Sequence, residues 1–152
     1  MPSTNAELKF KEWLDQKGYG YLYIDQSAQT FSEFFRGIIK RPDFLVVLNR
    51  IGIIAVDVKE RNMPFDRHGA PCVTLDEEEE VNKYLAFERL MRVPVWFVFY
   101  IGGDYSIQRW VPLSKVFECE RETSEKGPFR IIRLEDCIIL QTNRDSISRI
   151  ID

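Results

Sequence analysis

The sequence predicts an α/β protein in which a central mixed β-sheet is flanked by helices. Three observations support this fold class. Helical and strand patterns alternate along the chain, two short apolar runs are joined by a turn sequence, and a helical segment separates the second run from a third. We expect the order helix, strand, helix, strand, strand, helix, strand, followed by strand, helix, strand, strand.

The length and composition fit one soluble unit. A chain of 152 residues with 45% hydrophobic content can bury one good core, so we expect a single domain over residues 1–152. No apolar run approaches the length of a membrane span, and residues 1–20 are polar and helical in pattern, unlike a signal peptide. We therefore expect a cytoplasmic protein with no membrane partner.

The chain begins with a predicted helix and strand. The helix is expected over Asn5–Lys17, with Thr4 and Glu7 at capping-box spacing and Gly18 as its stop. A strand is expected over Tyr19–Ile24. A second short helix is then predicted from apolar residues that recur at helical spacing and end before a proline. Its residues are Phe31, Phe34, Phe35, Ile38 and Ile39, behind a capping box from Thr30 to Glu33 and before Pro42.

Two apolar runs, Phe44–Leu48 and Ile53–Val58, are separated by the turn-forming sequence Asn49–Gly52 and predict a hairpin. Both runs are apolar on both faces, so the hairpin should lie inside the sheet. After a loop, a helix from about Leu75 to Met91 leads into the strand Val95–Ile101. That crossover makes the second hairpin strand and Val95–Ile101 parallel neighbours.

The last third of the chain predicts smaller elements. We expect a strand over Tyr105–Val111, a short helix over Ser114–Glu120, and a second hairpin formed by Phe129–Leu134 and Cys137–Leu140. The hairpin would turn at Glu135-Asp136.

Cysteine and histidine usage excludes several kinds of site. The three cysteines are far apart and odd in number, which argues against a disulfide framework or a zinc site. The single histidine, His68, rules out a His-rich metal site and disfavours a Ser/His/Asp triad.

The net charge of −3 argues against a protein that coats nucleic acid through bulk charge. Residues 36–75 are nevertheless basic, with seven basic and four acidic side chains, so a local basic surface is expected there. The acidic run Asp76–Glu80 is interpreted as the start of a helix, because Thr74 and Glu77 have capping-box spacing and carboxylates suit the positive end of the dipole.

Charged residues at the end of a buried strand form the candidate site. Asp57 and Lys59 are two residues apart, so both project from the same face of the sheet. Asp43 begins the adjacent strand. A three-residue loop, Arg50–Gly52, with glycine at a bulge, would set Asp43 opposite Lys59 and would place all three charged groups on one face. The same register would set Leu45 opposite Asp57.

Two carboxylates and an ammonium on one face suit a hard divalent cation, Mg²⁺ or Mn²⁺, together with a phosphate substrate. The lysine can orient an attacking water or stabilise developing charge. The alternative is a buried ion cluster that satisfies only itself, although such clusters seldom add stability.

The spacing of these residues resembles that of the PD-(D/E)XK phosphodiesterases, the family that includes restriction endonucleases and archaeal Holliday-junction resolvases. The matching residues are Pro42-Asp43, thirteen intervening positions and Asp57-Val58-Lys59. The predicted order of elements over about residues 5–101 is also the core topology of that family.

The resemblance implies a restriction-endonuclease-like core and a divalent-metal-dependent endonuclease that acts most often on DNA. It implies that Asp43 and Asp57 ligate Mg²⁺ or Mn²⁺, that the Val58 carbonyl adds a ligand, and that Lys59 serves the attacking water. The products would carry a 5′-phosphate and a 3′-hydroxyl.

Many members of this family carry one more carboxylate on the first helix. Glu7 lies at the edge of the apolar arc formed by Phe10, Trp13 and Leu14, whereas Glu12 lies on the opposite side. Glu7 is therefore the candidate catalytic carboxylate of this helix, and a purely capping role stays open.

Basic residues near the motif are candidates for contacts with backbone phosphates, although ordinary solvated charge is the alternative for each. They are Arg41, Arg61, Arg67 and His68. Two further functional alternatives remain: an inactive nuclease-fold module for nucleic-acid binding or complex assembly, and a scaffold with a structural ion cluster. One site cuts one strand, so double-strand cleavage would require a homodimer or two visits.

Overall fold

The computed structural model describes residues 4–151, whose strands form a six-stranded mixed sheet and a four-stranded antiparallel sheet. In spatial order, the first sheet contains β1 (Tyr21–Tyr23), β2 (Phe44–Leu48), β3 (Gly52–Arg61), β6 (Val95–Ile101), β7 (Asp104–Pro112) and β10 (Ile138–Gln141). The second contains β4 (Phe65–Arg67), β5 (Ala70–Asp76), β9 (Gly127–Arg133) and β8 (Glu120–Ser124). Strands β3 and β6 are parallel neighbours, as predicted.

The α-helices of the described chain are α1 (Asn5–Lys17), α2 (Asn82–Met91) and α3 (Leu113–Val116). The predicted limits of α1 are confirmed: the Thr4 side chain accepts a hydrogen bond from the Glu7 backbone N–H, and Gly18 ends the helix with φ 72°. Within residues 4–151, no helix is long and apolar enough to cross a membrane.

The first sheet separates two apolar cores. On one face, α1 packs Phe10 against Phe44 of β2. On the other face, α2 and the second sheet cover Ala55 and Phe97. This arrangement explains why β2, β3 and β6 are apolar on both faces, and it confirms that the first hairpin lies inside the sheet.

The first hairpin forms with a register that differs from the prediction. The loop is Asn49–Ile51, one residue earlier than expected, and Leu45 lies opposite Ala55 instead of Asp57. Asp43 lies just before the paired residues, and its backbone N–H donates a 3.0 Å hydrogen bond to the Val56 carbonyl, so the predicted pairing with Lys59 does not form. The reason is that Arg50, with φ 68°, occupies the left-handed loop position, so the strand resumes at residue 52. The register shifts by two residues, so each side chain keeps its predicted face.

The second predicted helix does not form. The segment instead makes two short 3₁₀ turns, Ala28–Thr30 and Glu33–Phe35. Gly37, with φ 75°, interrupts any continuation of the helix, while Phe34 and Ile38 remain 67% and 47% exposed. The segment is short, and too few of its apolar side chains are buried to stabilise an isolated helix.

The second sheet was not expected from the sequence. Residues 65–76, assigned to a loop and the start of a helix, form the hairpin of β4 and β5. A π-helical turn, Glu77–Val81, then precedes α2, and its cap is Asp76 instead of Thr74. Burial of β5 against β9 and the core prevails over the local capping pattern.

The predicted C-terminal hairpin is also wrong. Strand β9 pairs with β5 and β8, whereas β10 pairs with β7 in the other sheet. The 3₁₀ turn Leu134–Asp136 carries the chain between the two sheets. Leu134 is buried in the core between them, so tertiary burial turns the chain away from a local hairpin.

Candidate active site

The structure brings Asp43, Asp57 and Lys59 together at the end of β3. Asp57 is buried, with 3% of its surface exposed, and Lys59 Nζ lies 2.9 Å from Asp57 Oδ2. Asp43 Oδ2 accepts a 2.7 Å hydrogen bond from the Val58 backbone N–H. Charged groups from the start of β2 and from β3 therefore converge on one side of the sheet, as the spacing predicted.

A hydrogen bond joins the carboxyl groups of Asp43 and Asp57. Burial, followed by the charge of Asp57 and a hydrogen bond with it, raises the pKa of Asp43 to about 9. Burial alone would also raise the pKa of Asp57, but the Lys59 ammonium and the hydrogen bond from Asp43 hold it below its usual value. At neutral pH the pair therefore carries one negative charge.

Lys59 remains a cation in this environment. Burial opposes its charge, but the neighbouring Asp57 and Glu80 carboxylates outweigh that effect and raise its pKa. Its ammonium contacts both carboxylates.

Glu80 is a residue of this cluster that was not predicted from the sequence. It comes from the π-helical turn and contacts the ammonium groups of both Lys59 and Lys40. The acidic run that contains it was interpreted only as a helix start. Its spacing of four from Tyr84, which is fully buried, is the signal that a carboxylate here faces inward.

The site fits a hard divalent cation. Asp57 Oδ2 is buried and accepts no hydrogen bond from the described residues, because the Lys59 ammonium lies close but outside hydrogen-bonding geometry. The carbonyl of Val58 faces the same side as its N–H, toward Asp43, as in any extended strand. Mg²⁺ needs only one or two carboxylates because it retains several waters.

This donor set is small. Within residues 4–151, no three histidine, cysteine or acidic side chains surround a common metal position. The candidate ligands are therefore the carboxylates of Asp43 and Asp57 and the carbonyl of Val58, with water completing the coordination sphere.

The Glu7 carboxylate is bound to the N-cap residue of α1 and acts on Asp43 through its charge. Its side chain is 5% exposed, and Oε2 accepts a 2.9 Å hydrogen bond from Thr4. Oε1 accepts a 3.4 Å hydrogen bond from the Tyr23 hydroxyl, and the charge of Glu7 adds to the rise in the Asp43 pKa. The catalytic role of Glu7 stays a prediction.

The predicted phosphate-contacting arginines are engaged within the protein. Arg41 donates to backbone carbonyls of residues 25–27, and Arg61 donates to a carbonyl of β5. Arg67 pairs with two glutamates of β8. His68 occupies the turn between β4 and β5 with φ 52°. The structure does not gather these four residues around Asp57, and their contact with phosphate stays a prediction.

Comparison with solved structures identifies the fold. The chain is similar to Archaeoglobus fulgidus Hjc, a Holliday junction resolvase from an archaeal hyperthermophile, with 18% identity and a TM-score of 0.57 over 86% of this chain and 88% of that chain. It is also similar to D212, a nuclease from a fusselovirus, with 10% identity and a TM-score of 0.49 over 86% and 77% of the two chains. No family model and no curated protein matches the sequence. The likeness to Hjc shows that the chain has a restriction-endonuclease-like fold, with a central mixed sheet flanked by helices, as predicted.

Proposed function

We propose that this protein is a divalent-metal-dependent endonuclease that hydrolyses phosphodiester bonds in DNA. The observation that carries the proposal is the buried Asp57 carboxylate, whose Oδ2 atom lies 2.9 Å from the Lys59 ammonium and which has the Asp43 carboxyl group as its neighbour. Two adjacent buried carboxyl groups repel each other when both are charged, and a bound cation would offset that repulsion.

Asp43, Asp57 and the Val58 carbonyl would hold Mg²⁺ or Mn²⁺. When bound, such a cation polarises a phosphate oxygen and lowers the pKa of a coordinated water. Asp43 must release its proton for both carboxylates to act as ligands, so metal binding should be coupled to proton release.

Lys59 supplies the fixed positive charge of the proposed reaction. Its ammonium is held by Asp57 and Glu80, so it can orient an attacking water and stabilise the charge that develops on the phosphate. The water oxygen forms a bond to phosphorus while the bond to the 3′ oxygen breaks. One water proton ends on that oxygen, which gives a 5′-phosphate and a 3′-hydroxyl.

One observation favours the second candidate, an inactive nuclease-fold module. The carboxylates of Asp57 and Glu80 and the ammonium groups of Lys59 and Lys40 form a network whose charges balance one another. A network of this kind can persist as a structural feature in a protein that has the nuclease fold but has lost its catalytic activity. Metal binding separates the two functions, because only the nuclease requires the two carboxylates as ligands.

The direct test is incubation of the purified protein with supercoiled, linear and branched DNA, with and without Mg²⁺ or Mn²⁺. Nicking should require the metal and should be lost in Asp57→Asn. Asp66→Asn is the matched control, because Asp66 is an exposed aspartate on β4. Equal nicking by wild type and Asp57→Asn, or no metal-dependent cleavage of any DNA by wild type, would contradict the proposal.

A further inference from the structure

The charge network of the site continues outward to a second lysine. The Glu80 carboxylate contacts both Lys59 Nζ and Lys40 Nζ through the same oxygen. The side chains of Glu80 and Lys59 are each 13% exposed, whereas that of Lys40 is 36% exposed. Lys40 is therefore the solvent-facing end of a chain of contacts that begins at the buried Asp57.

The second sheet fixes Glu80 in place. Asp76 caps the π-helical turn by accepting a 2.7 Å hydrogen bond from the Glu79 N–H. In the same turn, the buried Glu77 accepts 2.8 Å hydrogen bonds from Arg121 of β8 and Arg130 of β9. The turn is thus anchored at both its cap and its first residue, which holds the direction in which Glu80 projects.

Lys40 is restrained from its own side as well. Its ammonium lies 5.8 Å from the ring centroid of the buried Tyr84, and the Tyr84 hydroxyl donates a 3.2 Å hydrogen bond to the carbonyl of the next residue, Arg41. Asp43 follows Lys40 by three residues. The position of Lys40 is therefore tied to the candidate metal ligand by a short, anchored segment.

We propose that Lys40 is a second phosphate-binding residue of the nuclease site, and that Glu80 positions its ammonium beside that of Lys59. The inference rests on the proposed function and extends it to substrate binding. Two ammonium groups that contact one oxygen lie within two hydrogen-bond lengths, roughly 6 Å, of each other. One phosphodiester group can accept hydrogen bonds from both ammonium groups at that separation.

A purely stabilising role explains this arrangement less well. Burying a carboxylate and an ammonium costs about as much as their attraction returns. Each ammonium has three donors, and a single shared carboxylate oxygen takes one from each. Both lysines therefore keep donor capacity for an incoming phosphate, and Lys40 is exposed enough to meet it.

The test compares Lys40→Gln with Lys83→Gln. Lys83 forms a 2.7 Å ion pair with Glu79, the residue beside Glu80, so it controls for loss of a lysine that pairs with the same acidic run. Binding to a labelled DNA duplex is measured in EDTA, where nothing is cut, over a range of salt concentrations. Loss of one phosphate contact should reduce the slope of log affinity against log salt by about one in Lys40→Gln.

The slope should be unchanged in Lys83→Gln and retained in Lys40→Arg, which keeps the charge. An unchanged slope in Lys40→Gln, or wild-type binding that does not depend on salt, would overturn the role of Lys40. The binding result decides this point even if wild type nicks no DNA, in which case the proposed function fails separately.

Glu80 is tested as a positioning residue by Glu80→Gln, with Glu79→Gln as the control. If Glu80 orients the two ammonium groups, kcat for nicking should fall about 10–100-fold, as when a supporting partner of a metal-site residue is removed. Glu80→Gln should weaken DNA binding when it is introduced alone. In the Lys40→Gln background it should have no further effect on DNA binding. A loss of thermal stability with normal kcat and additive effects on binding would show a purely structural role and refute the positioning.

Discussion

Replacing Asp43 with asparagine should stabilise the metal-free protein at alkaline pH while abolishing metal-dependent cleavage. The buried Asp43 carboxyl stays protonated because of burial and the adjacent Asp57. Asparagine has nearly the same shape. Its amide nitrogen can donate to Asp57, and its oxygen can accept from the Val58 N–H, as Asp43 Oδ2 does. The substitution therefore keeps the contacts that the protonated Asp43 makes, and folding of the variant does not require position 43 to bind a proton.

The magnitude comes from proton linkage. The folded chain holds this proton up to a pKa of about 9, whereas the unfolded chain releases it near 3.8. Between those values the folded state binds one more proton, so its stability falls by about 1.4 kcal/mol per pH unit as the pH rises. The stabilisation is fully present below pH 3.8 and is lost as the pH passes through 9. From pH 5 to pH 8, the asparagine variant should gain up to about 4 kcal/mol relative to wild type.

The assay is urea unfolding in EDTA at four pH values from 5 to 8, for wild type, Asp43→Asn and the control Asp66→Asn. The free energy of unfolding of Asp43→Asn should rise relative to wild type at each step, while Asp66→Asn should track wild type. Isothermal titration with Mg²⁺ should show proton release by wild type and no binding by Asp43→Asn. A stability difference that is independent of pH would refute a protonated Asp43.

The other charged groups should separate catalysis from folding. Lys59→Ala should retain most Mg²⁺ binding by titration calorimetry but slow nicking by about 10²–10³-fold, because a fixed charge at the developing anion is lost. Asp57→Asn should lose Mg²⁺ binding with little change in circular dichroism. Under the ion-cluster interpretation, both variants would instead lose about 3–5 kcal/mol of stability in urea unfolding. DNA affinity measured by fluorescence anisotropy should rise with Mg²⁺ and fall with salt, and indifference to both would favour a scaffold role.

The sequence predicted the faces of the site better than its register. The loop of the first hairpin begins one residue earlier than expected, and Leu45 lies opposite Ala55 instead of Asp57. Side chains alternate between faces with a period of two, so a shift of two residues leaves all three groups on one face. The face on which a side chain lies depends only on whether it is an odd or an even number of residues from another residue of the strand. A short apolar pattern predicts that well. The exact partner of that side chain depends on whether Arg50 or Gly52 takes the left-handed position, which composition does not decide.

The elements that the sequence did not predict have one feature in common. They are stabilised by contacts with residues far away in the sequence. Strand β5 exists because it pairs with β9, more than fifty residues later, and buries Val73 and Leu75 between the two sheets. Local capping chemistry instead predicted a loop that ends in the start of a helix near Leu75. Similarly, no local signal reveals that Glu77 is clamped by Arg121 and Arg130.

These missed contacts also explain how Glu80 and Lys40 are placed around the motif residues of the candidate site. The motif residues Asp43, Asp57 and Lys59 lie on β3 or beside it, so the first sheet alone can assemble them. Glu80 is different, because its position depends on a turn that the second sheet anchors. A change in β8 or β9 that releases Glu77 should therefore affect the two lysines through Glu80. The second sheet thus has a physical route by which it can affect the charged groups that the first sheet assembles.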